Sequence, residues 1–185
     1  MKNLIFFGIQ GSGKGTQAKL LAKNLGYTIF ETGAELRNIA KEESELGRKV
    51  KQTIESGHLV STELVIEILK EFIHKHTNVP VIFDGIPRSD DQNLLFRQLL
   101  KSENIDYLAV HFKLEKAEAF KRLLKRAEVE KRADDNEESI NRRIDIFFNS
   151  TVPVIETYSA ENKLIEIDAR PSIEEIYQTL SSQIQ

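Results

Sequence analysis

Short apolar runs alternate with amphipathic segments along the whole chain. Residues 4–7 form an uninterrupted apolar run, the pattern of a parallel strand covered on both faces. Residues 13–24 follow, with Ala18, Leu21, Ala22 and Leu25 on one side and Gly26 as a stop, which predicts a helix. Residues 27–30 predict a second strand, and 35–40 and 46–56 two short helices, the latter closed by Gly57. A longer helix is expected next, with Thr62 as its cap and Leu64, Val65, Ile68, Leu69, Phe72 and Ile73 at helical spacing. Residues 79–83 predict a third strand ending in Asp84-Gly85, 91–101 a helix, 107–114 a strand and 116–127 a helix. Another helix is expected after Asp134-Asp135-Asn136, carrying Ile140, Ile144, Phe147 and Phe148, and Pro153 should kink or break it. Residues 164–167 predict the last strand and 172–180 the last helix.

This alternation predicts one α/β domain over residues 1–185, a parallel sheet of about five strands with helices on both faces. No internal repeat, low-complexity tract or linker interrupts it.

Composition narrows the function classes. Hydrophobic residues at 40% and charged ones at 30% are those of a water-soluble domain with a full core. A net charge of −3 argues against a general nucleic-acid or anionic-membrane surface. Cysteine is absent, which excludes disulfides and thiolate metal sites, and the histidines (His58, His74, His76 and His111) have no ligand spacing. The apolar run after Lys2 is broken at Gly8 and ends at Gln10, too short for a secretory leader. No stretch approaches the ~20 apolar residues of a membrane span. A cytoplasmic protein is expected.

The chemistry starts in the turn after the first strand, Gly8-Ile9-Gln10-Gly11-Ser12-Gly13-Lys14-Gly15-Thr16. A glycine-rich turn between a strand and a helix lets bare backbone N–H groups and the helix N-terminus cradle a phosphate. The spacing G-x-x-x-x-G-K fits residues 8–14, with Lys14 placed to reach the outer phosphates; Gly15 and then Thr16 follow, where the P-loop pattern has Ser or Thr directly after the lysine.

This loop resembles that of the adenylate kinases, in which Gly-Lys-Gly-Thr replaces Gly-Lys-Ser/Thr. Further segments line up in the same order: Thr32-Gly33 with Arg37; Gly57-His58-Leu59-Val60; Asp84-Gly85-Ile86-Pro87-Arg88 with Gln92; and Arg126, then Arg132-Ala133-Asp134-Asp135-Asn136 and Arg143. The resemblance covers nearly the whole chain. It implies a P-loop NTPase-like fold and the reaction ATP + AMP = 2 ADP with Mg²⁺. Since an AMP phosphate oxygen is already anionic, such a reaction needs cations and positioning rather than a general base.

By the resemblance, Lys14, Arg88, Arg126, Arg132 and Arg143 are catalytic. Gly11, Ser12, Gly13, Lys14, Gly15, Thr16, Arg126 and Pro171 surround ATP. Thr32, Arg37, Leu59, Val60, Gly85, Arg88, Gln92, Arg132 and Arg143 surround AMP; His58 lies in the same stretch with no chemistry assigned to it. Arg37 and Arg88 clamp the AMP phosphate, for which the planar guanidinium fork is suited. Gln92, an amide with both acceptor and donors, favours adenine; UMP/CMP kinases tend to have Asn there. Asp84 closes an apolar strand and is expected to meet Mg²⁺ through metal-bound water. Asp134 and Asp135 either hold the nearby arginines or, with Asn136, cap the next helix.

An AMP-binding segment of about residues 32–60 and a short lid of about residues 127–135 are expected to close over the nucleotides. So short a lid needs no structural zinc. Partners are the small nucleotides ATP, AMP and ADP, with no nucleic acid and no membrane, and the chain is expected to be a monomer. Departures from the family pattern are Gln10 for proline, Ala34 for aspartate, Ile86 for an aromatic residue and Ala127 for glycine. Of these, Ala34 removes a carboxylate near the AMP site. The other readings are a UMP/CMP or other monophosphate kinase, and a nucleotide-binding regulator with weak catalysis.

Overall fold

The computed structural model describes residues 1–130 and 136–184. In chain order the elements are β1 (Asn3–Phe7), α1 (Lys14–Leu25), β2 (Thr28–Glu31), α2 (Thr32–Ile39), α3 (Glu45–Glu55), α4 (Thr62–Lys75), β3 (Val81–Asp84) and α5 (Asp90–Ser102). Then come β4 (Tyr107–Lys113), α6 (Lys116–Glu130), α7 (Glu137–Ile146), a π-helical turn (Phe147–Thr151), α8 (Val152–Ala160), β5 (Leu164–Asp168) and α9 (Ile173–Ile184).

The strands form one parallel sheet in the order β2-β3-β1-β4-β5. Alternation along β1 shows why its sequence is apolar throughout. Leu4 and Phe6 point into a cluster with Ala18 and Leu21 of α1 and Ile176 and Leu180 of α9. Ile5 and Phe7 point the other way, to Leu69 of α4, Phe96 of α5 and Tyr158 of α8. Every side chain of this central strand from Leu4 onward is buried. β1 leads into α1 on one face of the sheet, whereas its neighbour β3 leads into α5 on the other. A crevice opens at such a switch point, beyond the strands' carboxyl ends.

Helix boundaries follow local chemistry. Ser44, Ser61, Ser89 and Asn136 each accept a hydrogen bond from a backbone N–H of the first turn, of α3, α4, α5 and α7 respectively. The cap of α4 is therefore Ser61 and not Thr62, which is the first helical residue. Asn136 takes the capping role at α7, with Ser139 N–H donating to its Oδ1 at 2.9 Å.

Pro153 does not break the long C-terminal helix. It sits in the first turn of α8, directly after the π-helical turn. A proline removes one N–H and displaces the carbonyl four residues earlier. Here that carbonyl belongs to Asn149, inside the widened turn, so the chain stays helical by shifting its ladder one residue. The widened turn also aims Phe147 and Thr151 at the crevice.

Candidate active site

The turn from β1 to α1 lines the crevice floor. Gly13, with φ of 89°, stands before the first residue of α1. A Cβ on Gly8 would lie 2.8 Å from the Phe112 carbonyl, and one on Gly11 2.9 Å from that of Ala119. Close packing on β4 and α6 therefore demands these two glycines, before any ligand is considered. Lys14 folds over its own loop, where Nζ donates to the carbonyls of Gly8 (2.7 Å) and Ile9 (3.1 Å) and to Ser12 Oγ (3.4 Å). Withdrawal from water lowers its pKa to about 8; Asp84 and Glu31 oppose that fall while Arg88 and Arg126 add to it.

Two carboxylates face this lysine from neighbouring strands. Glu31 ends β2 and Asp84 ends β3, directly in register. Burial pushes the Asp84 carboxyl up, with Glu31 adding and Lys14 and Arg88 opposing. Its Oδ2 lies 3.8 Å from where a Cβ on Gly15 would stand. A hard oxygen donor beside a phosphate loop fits Mg²⁺ carried in with a nucleotide. Among the described residues, no group of three or more His, Asp or Glu could hold a metal by itself.

The other half of the crevice is built from the β3–α5 loop and α2. Arg88 Nε donates to the Gly85 carbonyl at 2.8 Å, and a Cβ on Gly85 would meet Arg88 Nη2 at 2.8 Å, so bare backbone seats the guanidinium. Burial holds Arg88 below the ordinary arginine pKa; Asp84 and Glu31 oppose this, and Arg143 and Arg37 add to it. Arg37 Nη2 pairs with Glu31 Oε1 at 2.8 Å. Gln92 is buried, its Oε1 accepting the Arg88 backbone N–H at 2.9 Å. Thr151 Oγ1 donates to the Arg88 carbonyl at 2.9 Å. Thr32 Oγ1 and Gln10 Oε1 are buried without a hydrogen-bond partner, although both residues line the crevice. An unsatisfied polar atom at such a wall is ready for a ligand.

The result is one cleft of about 630 Å³. Gly11, Gly13, Lys14, Gly15, Thr16, Thr32, Arg37, His58, Leu59, Val60, Asp84, Gly85, Arg88, Gln92, Arg126 and Arg143 all line it, as expected from sequence. Ser12 does not; it is buried behind the loop. Pro171 lies exposed between β5 and α9 and is not on the wall. Arg132, Asp134 and Asp135 fall outside the described residues, as does most of the expected lid. Its first residues, from Ala127 to Glu130, continue α6.

His58 has a structural setting. Its Nδ1 lies 2.9 Å from Ser56 Oγ and 3.4 Å from Arg142 Nη1, which itself donates to the Ser56 carbonyl at 2.7 Å. Arg142 thereby ties the end of α3 to α7.

Glu31, Lys19, Arg122 and Thr151 also line the cleft and were not singled out from sequence. Arg122 was legible, because it lies four residues before Arg126 and shares its helix face. Its Nη1 donates to the Ala169 carbonyl at 3.1 Å, which ties α6 to the end of β5. No motif marks Glu31 or Thr151. Glu31 and Asp84 are thus the carboxylates among the described lining residues, against Lys14, Lys19, Arg37, Arg88, Arg122, Arg126 and Arg143. Such an excess of cations, centred on a phosphate loop, suits a site for two polyanions.

Comparison with known proteins agrees. The sequence model of the family described as adenylate kinase matches residues 6–163. An adenylate kinase of Parabacteroides distasonis is 38% identical over 179 residues, covering 96% of this chain and 94% of the relative. One from Thermus thermophilus is 36% identical over 175 residues, covering 94% and 92%. Adenylate kinase 1 of Schistosoma mansoni is 36% identical over 186 residues, covering 100% and 93%. With this match across nearly its full length, the chain belongs to the adenylate kinase family of nucleoside monophosphate phosphotransferases.

Proposed function

We propose that the cleft seats ATP and AMP end to end and moves the terminal phosphoryl group between them, ATP + AMP = 2 ADP, so balancing adenine nucleotides. The observation that carries this is a single cleft in which Lys14, Arg88, Arg126 and Arg143 converge on the ends of β1 and β3. A loose phosphoryl-transfer transition state spreads negative charge over oxygens that such cations stabilise. The acceptor is an ionised phosphate oxygen, so no side chain has to remove a proton.

ATP phosphates lie on the backbone of residues 11–16, and Lys14 turns from its loop carbonyls to the outer phosphates. Asp84 would hold Mg²⁺ through the metal's water shell, and the ion would neutralise charge shared by the ATP phosphates. Arg37 and Arg88 take the AMP phosphate, Thr32 and the backbone at residues 58–60 the nucleoside, and Gln92 the adenine edge. The Oε1 of Gln92 keeps a second lone pair and Nε2 its donors, enough for an amino group and a ring nitrogen. Arg126 lies near ATP, Arg132 and Arg143 bridge the transferring group and the AMP phosphate, and closure of the two segments keeps water from intercepting the phosphoryl group.

Both sheet faces are covered by the chain's own helices, which supports a monomer. Among the described residues no helix is long and apolar enough to cross a membrane; the cytoplasm as the place of action is part of this proposal. The test is a coupled assay of ADP formation from ATP, Mg²⁺ and AMP, UMP or CMP. AMP should be the preferred acceptor. Preference for UMP or CMP would reassign Gln92, and nucleotide binding without turnover would make the chain a regulator.

A further inference from the structure

The Glu31–Arg37 pair is the unexpected feature of the cleft. Glu31 Oε1 takes one prong of the guanidinium at 2.8 Å, with Arg37 30% and Glu31 37% exposed at the side chain. On its other side the guanidinium lies against bare backbone, since a Cβ on Gly33 would stand 2.9 Å from Nη1. Arg37 is thus engaged by a carboxylate, while among the described residues the guanidinium of its neighbour Arg88 donates to the Gly85 carbonyl. A carboxylate in a phosphate pocket weakens anion binding unless it can be displaced, and this pair is open enough to exchange.

We propose that Glu31 is a built-in competitor of the AMP phosphate for Arg37. In the empty site it occupies the clamp and lowers the pocket's positive charge. An arriving phosphate takes both prongs of the fork and frees Glu31, which returns as the product leaves. This weakens AMP binding and speeds release, without entering the chemistry. The inference rests on the assignment of Arg37 to the AMP phosphate.

Calorimetric titration of AMP into wild type, Glu31→Gln, Arg37→Ala and the double variant tests it. Glu31→Gln keeps the side chain's size and removes its charge; it should tighten AMP binding about fivefold, the scale of a partly exposed ion pair. ATP binding should change less than AMP binding, because Glu31 pairs directly with Arg37 and acts on Lys14 of the phosphate loop through space, beside the opposing Asp84. Arg37→Ala should weaken AMP about tenfold or more by removing a charged phosphate contact. In the Arg37→Ala background the Glu31→Gln gain should vanish. A gain that persists there overturns the proposal in favour of general charge repulsion. Unchanged or weaker AMP binding by Glu31→Gln, with Arg37→Ala still weakening it, overturns the competition alone. Arg37→Ala without effect overturns both the competition and the phosphate assignment.

Discussion

The side-chain carbonyl of Gln92 accepts the backbone N–H of Arg88 at 2.9 Å. The residue proposed to read the base therefore also holds the loop that carries the proposed phosphate clamp. Gln92→Ala should lose both functions. Leaving the Arg88 N–H unpaired should cost about 1–3 kcal/mol of stability, and kcat/KM for AMP should fall about tenfold or more while the KM for ATP moves little. Thermal melts and steady-state kinetics with each substrate varied check this.

Lys14 links activity to pH. With its pKa lowered to about 8, the free protein loses this charge as pH rises past that point. kcat/KM for ATP should therefore fall above about pH 8, whereas bound phosphates favour the charged lysine and should hold kcat up to higher pH.

The same shift bears on stability. The unfolded chain, with its lysine near 10.5, binds more protons than the folded one from about 8 to 10.5, so this residue's contribution to stability rises with pH across that window. Below it the full cost of enclosing a charge applies. Lys14→Met should raise the ligand-free stability at pH 7 by about 1–3 kcal/mol and lower kcat by at least ~10²-fold. Denaturation and rate measurements on one preparation decide this.

Asp84 is opposite in charge and similar in logic. Its raised pKa means that the ionised carboxylate opposes folding above its unfolded value. Asp84→Asn should melt at a higher temperature, yet need more Mg²⁺ for half-maximal rate and turn over about 10²-fold more slowly. Magnesium titrations of the rate, with chelator as the zero point, check it.

Gly57 has φ of 75°, and a Cβ there would lie 2.8 Å from the Ser139 carbonyl. Backbone cannot yield as a flexible side chain does, so Gly57→Ala should cost about 1–3 kcal/mol. Because Gly57 joins α3 to α7 beside Leu59 and Val60, the KM for AMP should rise more than that for ATP.

Residues 128–130 lie at the end of α6, where Val129 is 74% exposed. Closure over bound nucleotides should slow protease cleavage there about tenfold when a linked dinucleotide bisubstrate analogue is added. Equal cleavage rates with and without the analogue would count against closure of this segment.

Local pattern carried the elements a long way. The continuous apolar run of β1, the Gly26 stop of α1 and the period of α4 each reflect one face or one turn, and each lies within a few residues of its predicted place. The Ser61 cap was hidden by an equally suitable neighbour, and the π-helical turn by a proline that ordinarily ends helices. Both choices depend on which backbone groups already have partners.

That the glycine-rich loop, Arg37, Arg88, Arg126, Arg143 and Gln92 share one cleft was readable because phosphate chemistry restricts residue type and spacing within a few positions. Glu31, Thr151 and the folded-back Lys14 were not. They matter through the strand register that sets Glu31 beside Asp84, a turn that aims Thr151 at the Arg88 carbonyl, and a desolvation that only an assembled cleft imposes. The amino-acid order by itself determined which groups could bind phosphate. Packing of distant segments decided which of them meet, and with what charge, because proximity and loss of water are properties of the folded chain.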